Sequence, residues 1–249
     1  MHLLIDVGNT RLKWLLVKDK LNDNSPIMTG LLDDLEKYIS QLDVGRIQVH
    51  LAAVNLSTEL KQMLSSAGFC NLYIARAMAE QKGVRNSYSQ PERMGIDRWL
   101  AMVAGYNDTL QASKQGVIVV DAGSALTIDV VDPSGQHMGG LIVPGLLMAK
   151  QALFVNTERV IKYEEERIDP NMGLTMNKLG NNTVECVEYG VVTQLCLLIQ
   201  STIKQYPTYD IIMTGGDAEL LLASLDLNCV KRITIDKYLV LKGLWQVRN

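Results

Sequence analysis

The sequence predicts an α/β protein made of two similar domains with a cleft between them, and three observations support this class. A strand–turn–strand pattern near the start of the chain recurs after an offset of 115 residues, from Asp6 to Asp121. Predicted strands and helices alternate behind each copy. The chain has 249 residues, 47% of them hydrophobic, which is enough apolar material for two cores and excludes a wholly disordered chain.

The repeat has a composition that suits phosphate binding. Its first copy is a buried-type strand over residues 3–5 followed by Asp6-Val7-Gly8-Asn9-Thr10, and its second is the strand 118–120 followed by Asp121-Ala122-Gly123-Ser124-Ala125. The glycines permit a tight turn, the turn amides can cradle phosphate oxygens, and each aspartate at a strand end can hold a cation. One such turn can be an ordinary hairpin, but two copies at the starts of similar halves favour a nucleoside triphosphate site.

The remaining pattern places the other elements and the domain boundary. Further strands are predicted over 47–54, 72–75, 116–131, 136–143 and 211–213, and helices over 57–67, 96–106, 182–205 and 219–225. Ser57 is the predicted N-cap of its helix. We expect an N-terminal domain over 1–114 and a C-terminal domain over 115–249, and a solvated charged segment over 158–169.

Four further motifs are candidates for chemistry, each with a structural alternative. Asp97 and Arg98 in Met94-Gly95-Ile96-Asp97-Arg98-Trp99 offer a base and a guanidinium fork, or simply first-turn helix chemistry. Thr214-Gly215-Gly216-Asp217 leaves room for a base or ribose, or forms a strand-to-helix turn with Asp217 as its cap. The stretch 139–145 suits the wall of a ligand site or an ordinary Pro-Gly turn. Lys13 can reach a phosphate or lie solvated on its strand.

Composition excludes several other classes of protein. A formal net charge of −3 argues against nucleic acid as a partner, because phosphate backbones select strongly basic surfaces. We expect no secretory signal and no membrane span, because the apolar stretches are too short. The four scattered cysteines and three histidines predict reduced thiols in a cytoplasmic protein rather than a zinc site.

Taken in order, the motifs resemble those of type III pantothenate kinases, in the acetate kinase–sugar kinase–Hsp70–actin superfamily. The matching motifs are Asp6 to Lys13, Gly95-x-Asp97-Arg98-Trp99, Asp121 to Ala125, Gly139 to Gly145, Gly180-Asn181-Asn182-Thr183 and Thr214 to Asp217. The resemblance implies two ribonuclease H-like, actin-like ATPase domains with an interdomain nucleotide cleft. It implies ATP-dependent phosphorylation of pantothenate to 4'-phosphopantothenate, the first step of coenzyme A biosynthesis.

The resemblance also implies residue roles. Asp97 would be the proton acceptor, Asp6 would lie near Mg²⁺, and Asp121 would hold a monovalent cation, K⁺ or NH₄⁺. Thr183 would close over pantothenate from the neighbouring subunit of a homodimer. The implied ATP contacts are Asp6, Gly8, Asn9, Thr10, Arg11, Lys13, Gly123 and Ser124, the last of which is threonine in many relatives. The implied pantothenate contacts are Tyr88, Gly95, Ile96, Asp97, Arg98 and Thr183.

Two alternatives stay open at this point. One is a kinase or phosphatase of the same superfamily that acts on another small alcohol or phosphate ester, because a fold alone does not select the substrate. The other is a non-catalytic nucleotide-binding regulator, against which the intact Asp6, Asp97 and Asp121 argue. The sequence leaves undecided whether Arg98 pairs with the pantothenate carboxylate or with the transferred phosphate.

Overall fold

The computed structural model describes residues 1–8, 10–18, 20–21, 25–156, 176–225 and 232–248. Asn9, Cys229 and the charged segment 158–169 lie outside these described residues. The chain divides into two compact units. Unit 1 comprises Met1–Lys114, Val131–Met138 and Tyr238–Asn249, and unit 2 comprises Gln115–Val130 and Gly139–Lys237.

Unit 1 is built on a five-stranded sheet within the described residues. Its strands are β1 (His2–Val7), β2 (Leu12–Val17), β3 (Met28–Gly30), β4 (Gln48–Ala53) and β5 (Asn71–Ile74), in the order β3-β2-β1-β4-β5. Strand β1 is central, and its residues 3–5 are fully buried, as a run of aliphatic side chains requires. It pairs antiparallel with β2, so that Asp6 faces Lys13 across the hairpin, and parallel with β4.

Helices cover the sheet of unit 1. They are α1 (Leu32–Ile39), α2 (Thr58–Ser66) and α3 (Ile96–Ala112), with a short hairpin of β6 (Glu80–Gln81) and β7 (Val84–Arg85) before α3. Ser57 caps α2, because its Oγ accepts a hydrogen bond of 3.1 Å from the Leu60 amide, as predicted. The buried residues of α3, Trp99 and Leu100 among them, pack into the core of the unit.

Unit 2 has a second five-stranded sheet within the described residues. Its strands are β8 (Val117–Ala122), β9 (Ala125–Val131), β10 (His137–Pro144), β11 (Asp210–Thr214) and β12 (Ile233–Ile235), in the order β10-β9-β8-β11-β12. Strand β11 pairs parallel with both β8 and β12, so that Thr214 faces Asp121. The carboxyl ends of β8 and β11 therefore lie side by side at the same end of the sheet.

The helices of unit 2 are α4 (Leu146–Asn156), α5 (Thr183–Gln205) and α6 (Ala218–Ser224). By length and composition α5 is apolar enough to cross a membrane, but half of the apolar stretch is buried inside the structure. Its residues Val191, Leu195 and Ile199 belong to the hydrophobic core of the unit, together with residues of β8 and β9. This burial explains the apolar composition of α5 as that of a core helix.

The predicted α/β class, with a strand–turn–strand at the start of each sheet, is confirmed. The last helix, α7 (Leu239–Val247), and the turn 131–138 belong to unit 1 by their contacts, although both fall in the range 115–249 assigned to the second domain. The reason is close packing of α7 on α3. A β-carbon at Gly243 would collide with the backbone of Leu100, so glycine permits the two helices to approach closely.

Candidate active site

The first phosphate-type turn, in unit 1, joins β1 to β2. Asp6 is buried near the end of β1, whereas Thr10 and Arg11 are exposed and Lys13 is half-buried at the start of β2. A β-carbon at Gly8 would lie 2.9 Å from the Arg11 carbonyl oxygen. The turn therefore closes too tightly for a larger residue at position 8, and it leaves exposed backbone and polar groups beside a buried carboxylate.

The second such turn, in unit 2, joins β8 to β9. The Gly123 amide donates a hydrogen bond of 3.0 Å to the Ala125 carbonyl, which closes the turn around Ser124. The Gly145 amide donates one of 3.0 Å to the Ser124 carbonyl, so the start of α4 is fixed against the same turn. A β-carbon at Gly145 would collide with the carbonyl oxygen of Gly123. The Pro-Gly motif thus packs on the phosphate-type turn.

The Gly215-Gly216 motif packs against Asp121, the aspartate near the end of β8. Gly215 has a φ of +95°, and a β-carbon there would lie 2.6 Å from Asp121 Oδ1. The Asp217 amide donates a hydrogen bond of 2.9 Å to the Ala122 carbonyl. Asp217 itself makes no side-chain cap hydrogen bond to α6. Burial raises the pKa of Asp217, and the nearby Lys150 partly opposes this shift.

The predicted substrate motif forms the start of α3. Gly95 is the N-cap, and a β-carbon there would lie 2.7 Å from Asp97 Oδ1. The same oxygen accepts a hydrogen bond of 2.8 Å from the Arg98 amide, which fixes the Asp97 carboxylate in the first turn. Arg98 is buried, and its Nη1 donates a hydrogen bond of 3.0 Å to Tyr88 Oη. Ile96 is buried as well, so its side chain belongs to the core.

An open cavity of about 440 Å³ is lined by Tyr88, Ser89, Gln90 and Arg93, and Tyr88 connects it to Arg98 of this motif. The Tyr88 amide donates a hydrogen bond of 2.9 Å to Asn86 Oδ1, which shapes the loop that carries the ring. Sequence reasoning predicted Tyr88 and missed the other three lining residues. They belong to no motif, and their position becomes evident only when the loop is folded beside α3.

Thr183 is the first residue of α5, in unit 2, and is half-buried. Asn182 caps this helix, since its Oδ1 accepts a hydrogen bond of 2.9 Å from the Glu185 amide. The Glu185 side chain in turn accepts a hydrogen bond of 2.8 Å from the amide of Asn181, the residue before the N-cap. The Gly180-Asn181-Asn182-Thr183 motif therefore has a structural role in starting α5.

In the described part of the chain, no group of three or more His, Cys, Asp or Glu side chains is placed to hold a metal ion. Asp6 and Asp121 each stand at a strand end beside a glycine turn. This arrangement fits Mg²⁺, which is commonly held by one or two carboxylates together with substrate phosphates.

Comparison with known proteins identifies the family of the chain. A family model for type III pantothenate kinase matches residues 2–205. A type III pantothenate kinase from Marinobacter nauticus is 35% identical over 246 residues, which cover 95% of this chain and 96% of the relative. A solved structure from Campylobacter jejuni, described as a Baf family transcriptional activator, aligns with a TM-score of 0.60 at 25% identity, over 98% of this chain and 96% of that one.

A more distant structure shows the fold alone. The activator of 2-hydroxyisocaproyl-CoA dehydratase from Clostridium difficile, solved with bound ADPNP, aligns with a TM-score of 0.50 at 12% identity, over 99% of this chain and 92% of that one. The family model and the curated relatives place the chain among kinases that phosphorylate an alcohol group. The chain belongs to the type III pantothenate kinase family. The predicted fold class, family and enzyme class, a phosphotransferase with an alcohol acceptor, are thus confirmed.

Proposed function

We propose that this chain phosphorylates the primary hydroxyl of pantothenate at the start of α3, with Asp97 as the proton acceptor. ATP-dependent phosphorylation of pantothenate, in coenzyme A biosynthesis, follows from the family. The proposed position of the substrate rests on the 3.0 Å hydrogen bond from Arg98 to Tyr88. This bond links the buried guanidinium of Arg98, the residue after Asp97, to Tyr88, which lines the 440 Å³ cavity.

The proposed reaction uses the geometry of Asp97 directly. Its Oδ1 is held by the Arg98 amide, and Oδ2 accepts the proton of the pantothenate hydroxyl. The hydroxyl oxygen forms a bond to the γ-phosphorus in line, while the bond from that phosphorus to the β–γ bridging oxygen breaks and ADP leaves. Most of the rate enhancement comes from positioning and from charge stabilisation around the phosphoryl group.

ATP and its cations are assigned to the two glycine turns. Support comes from the tight closure at Gly8 and from the packing of Gly145 and Gly215 around the Asp121 turn. Asp6 is assigned to Mg²⁺, which neutralises phosphate charge when bound. Asp121 is assigned to a monovalent cation, K⁺ or NH₄⁺. The residues assigned to ATP phosphates are Gly8, Asn9, Thr10, Arg11, Lys13, Gly123 and Ser124.

Pantothenate is assigned to Tyr88, Gly95, Ile96, Asp97 and Arg98, with Ile96 limited to its backbone because its side chain is buried. Thr183 is assigned to closure over pantothenate in the partner subunit of a homodimer. Several exposed apolar side chains on β10 and α4 of unit 2 support an interface between copies. They are Leu141, Ile142, Leu147, Met148 and Leu153. We also propose a cytoplasmic location.

One assay tests the reaction and its cation. Purified protein with ATP and Mg²⁺ is given pantothenate or a panel of other small alcohols, in K⁺ or in Na⁺, and ADP release is followed. We expect release that requires pantothenate and is stimulated by K⁺. ATP hydrolysis indifferent to pantothenate would contradict the proposal, and so would tight ATP binding without turnover.

A paired variant tests the base. Asp97→Asn is expected to keep ATP affinity, measured by calorimetry, and to lower kcat by about 10²-fold or more, the usual range for loss of a general base. Asp43→Asn is the matched control, because Asp43 is exposed and its side chain makes no cap hydrogen bond. A near-normal kcat for Asp97→Asn would show that another group accepts the proton.

A further inference from the structure

We propose that His137 is a positioning residue for pantothenate binding, acting through Ser87 on the loop that carries Tyr88. The inference rests on the proposed function, because it takes Tyr88 as a contact of the substrate. His137 is the first residue of β10, and no motif of the sequence includes it. It belongs to unit 1, as do Ser87, Tyr88 and Arg98.

The contact between His137 and the loop is specific. The His137 side chain is 1% exposed, and its Nδ1 forms a hydrogen bond of 2.9 Å with Ser87 Oγ. Its ring lies beside the Tyr88 ring, with centroids 6.4 Å apart and planes inclined by 30°. One buried side chain thus contacts two consecutive residues of the loop at the edge of the cavity.

The segment before His137 is itself clamped to the same stretch of unit 1. The Arg85 amide donates a hydrogen bond of 2.8 Å to the Gly135 carbonyl, and its guanidinium donates to Gln136 Oε1 at 3.2 Å and to Ser134 Oγ at 3.1 Å. Asp132 Oδ1 accepts hydrogen bonds from the Ser134 and Gln136 amides at 2.8 and 2.9 Å. His137 therefore directly follows a turn that is held by hydrogen bonds from Arg85 and by hydrogen bonds to Asp132.

The Ser87–His137 bond lies at the edge of the packed interior, because His137 is buried whereas its partner is not. Ser87 is exposed, and Tyr88 is 36% exposed at the cavity. Losing this bond removes little apolar burial and leaves α3 intact. Its effect falls on the orientation of Tyr88, whose other anchors are the Asn86 side chain and Arg98. A role in orienting Tyr88 predicts a change in substrate affinity that exceeds any change in stability.

The first test changes Ser87. Ser87→Ala is expected to raise the KM for pantothenate by about three- to tenfold, the range given by loss of one hydrogen bond, with the KM for ATP and the Tm unchanged. Ser87→Thr keeps the hydroxyl and is expected to restore the normal KM. Ser66→Ala is the control, because that serine only donates to a carbonyl of its own helix and is exposed.

The second test changes His137. His137→Asn keeps a polar atom near the Nδ1 position, and His137→Phe keeps a ring without it. We expect Phe to reproduce the KM of Ser87→Ala and Asn to lie closer to wild type. The double variant Ser87→Ala with His137→Phe should be no worse than the worse single variant, because both changes remove the same bond.

Tyr88→Phe separates failure of this inference from failure of the proposed site. If Tyr88→Phe raises the KM for pantothenate but Ser87→Ala does not, the positioning role of His137 is wrong and the site stands. If neither variant changes that KM, the assignment of pantothenate to Tyr88 is wrong. If Ser87→Ala shifts the KM for ATP and the Tm as strongly as the KM for pantothenate, the bond is merely structural.

Discussion

A β-carbon on Gly215 would lie 2.6 Å from Oδ1 of Asp121, so the strand-to-helix turn after β11 is packed directly on the carboxylate at the end of β8. Gly215 is held in this place by a φ of +95°, a conformation that L-residues with side chains rarely adopt. The contact makes the shape of the Asp121 turn dependent on a glycine 94 residues further along the chain. Gly216 has no such constraint, because a β-carbon there meets nothing within 4 Å.

Gly215→Ala is therefore expected to lower the free energy of unfolding by at least about 2 kcal/mol, from backbone strain and collision with the Ala122 carbonyl. K⁺ stimulation of ADP release should fall in parallel, because Asp121 is displaced. Gly216→Ala is the matched control and should stay within about 0.5 kcal/mol of wild type. Denaturant unfolding and assays in K⁺ and Na⁺ measure both effects. Equal stabilities for the two variants would contradict the packing.

Arg98→Lys tests the charge at the start of α3. Lysine keeps the charge but loses the planar fork, so the hydrogen bond to Tyr88 weakens and the KM for pantothenate should rise by about 10- to 100-fold. Repeating the assay with pantothenyl alcohol, which lacks the carboxylate, identifies the group that Arg98 contacts. A much smaller effect on the alcohol indicates the carboxylate, whereas an equal effect that falls on kcat indicates the transferred phosphate. Arg46→Lys, at an exposed arginine, is the control.

The ion pair between Lys150 and Glu188 in unit 2 gives a prediction about stability. Lys150 Nζ lies 2.5 Å from Glu188 Oε2, and the Glu188 side chain is only 3% exposed. Glu188→Gln removes the close carboxylate partner of Lys150 and leaves its ammonium only the coulombic attraction of Asp217, so the change should cost about 3 kcal/mol of unfolding free energy. Adding Lys150→Met should recover much of this loss, because it removes the charge that lost its close partner. If the double variant is as unstable as the sum of the singles, the pair is not coupled.

His50 gives a pH dependence of stability. It is buried, its Nε2 lies 3.0 Å from His2 Nδ1, and burial followed by the charges of His2 and Arg248 lowers its pKa from 6.5 to about 4. Between these values the unfolded chain binds the proton and the folded chain does not. The stabilisation is therefore complete above pH 6.5 and is lost as the pH falls towards 4, by up to about 3 kcal/mol.

Urea unfolding at pH 7 and pH 5 measures this loss, and His50→Phe supplies the comparison. The variant should lose less stability than wild type over the same interval, because it lacks the group that takes up the proton. Parallel pH curves for the two proteins would show that other groups carry the dependence.

The strands and helices that contain the motifs could be predicted because the hydrophobic pattern of each segment matches its position in the fold. The buried runs at residues 3–5 and 118–120 have no stable place except a central strand, and the apolar face of α5 has none except a core. Helix α7 was not predicted, although residues 239–241 and Leu244 are fully or largely buried. The helix begins shortly after the charged residues Asp236 and Lys237, and only its packing on α3 gives that segment a position.

The sequence offers candidate site residues where a residue type stands in a recognisable motif, and it offers none where only the folded position brings a residue to the site. Asp6, Asp97 and Asp121 each lie two residues from a glycine at a strand end or a helix start, and that spacing is visible in the sequence. Their functional roles stay predictions. Arg93 and His137 also lie two residues from a glycine, but neither they nor Gln90 belong to a strand–Asp-x-Gly turn or to the Gly95-x-Asp97 motif that would mark them as functional. His137 meets Ser87 across 50 residues of chain, and no local spacing predicts that contact.

The return of the chain to unit 1 has a consequence for synthesis on the ribosome. Unit 1 is assembled from three separate stretches, and the last of them contains α7, which packs on α3. Its core therefore stays incomplete until nearly the whole chain has left the exit tunnel. Unit 2 is encoded entirely before that point, so it can finish folding first. Truncation within the last dozen residues should then damage unit 1, which carries Asp6 and Asp97, rather than unit 2, whose residues directly precede the truncated segment.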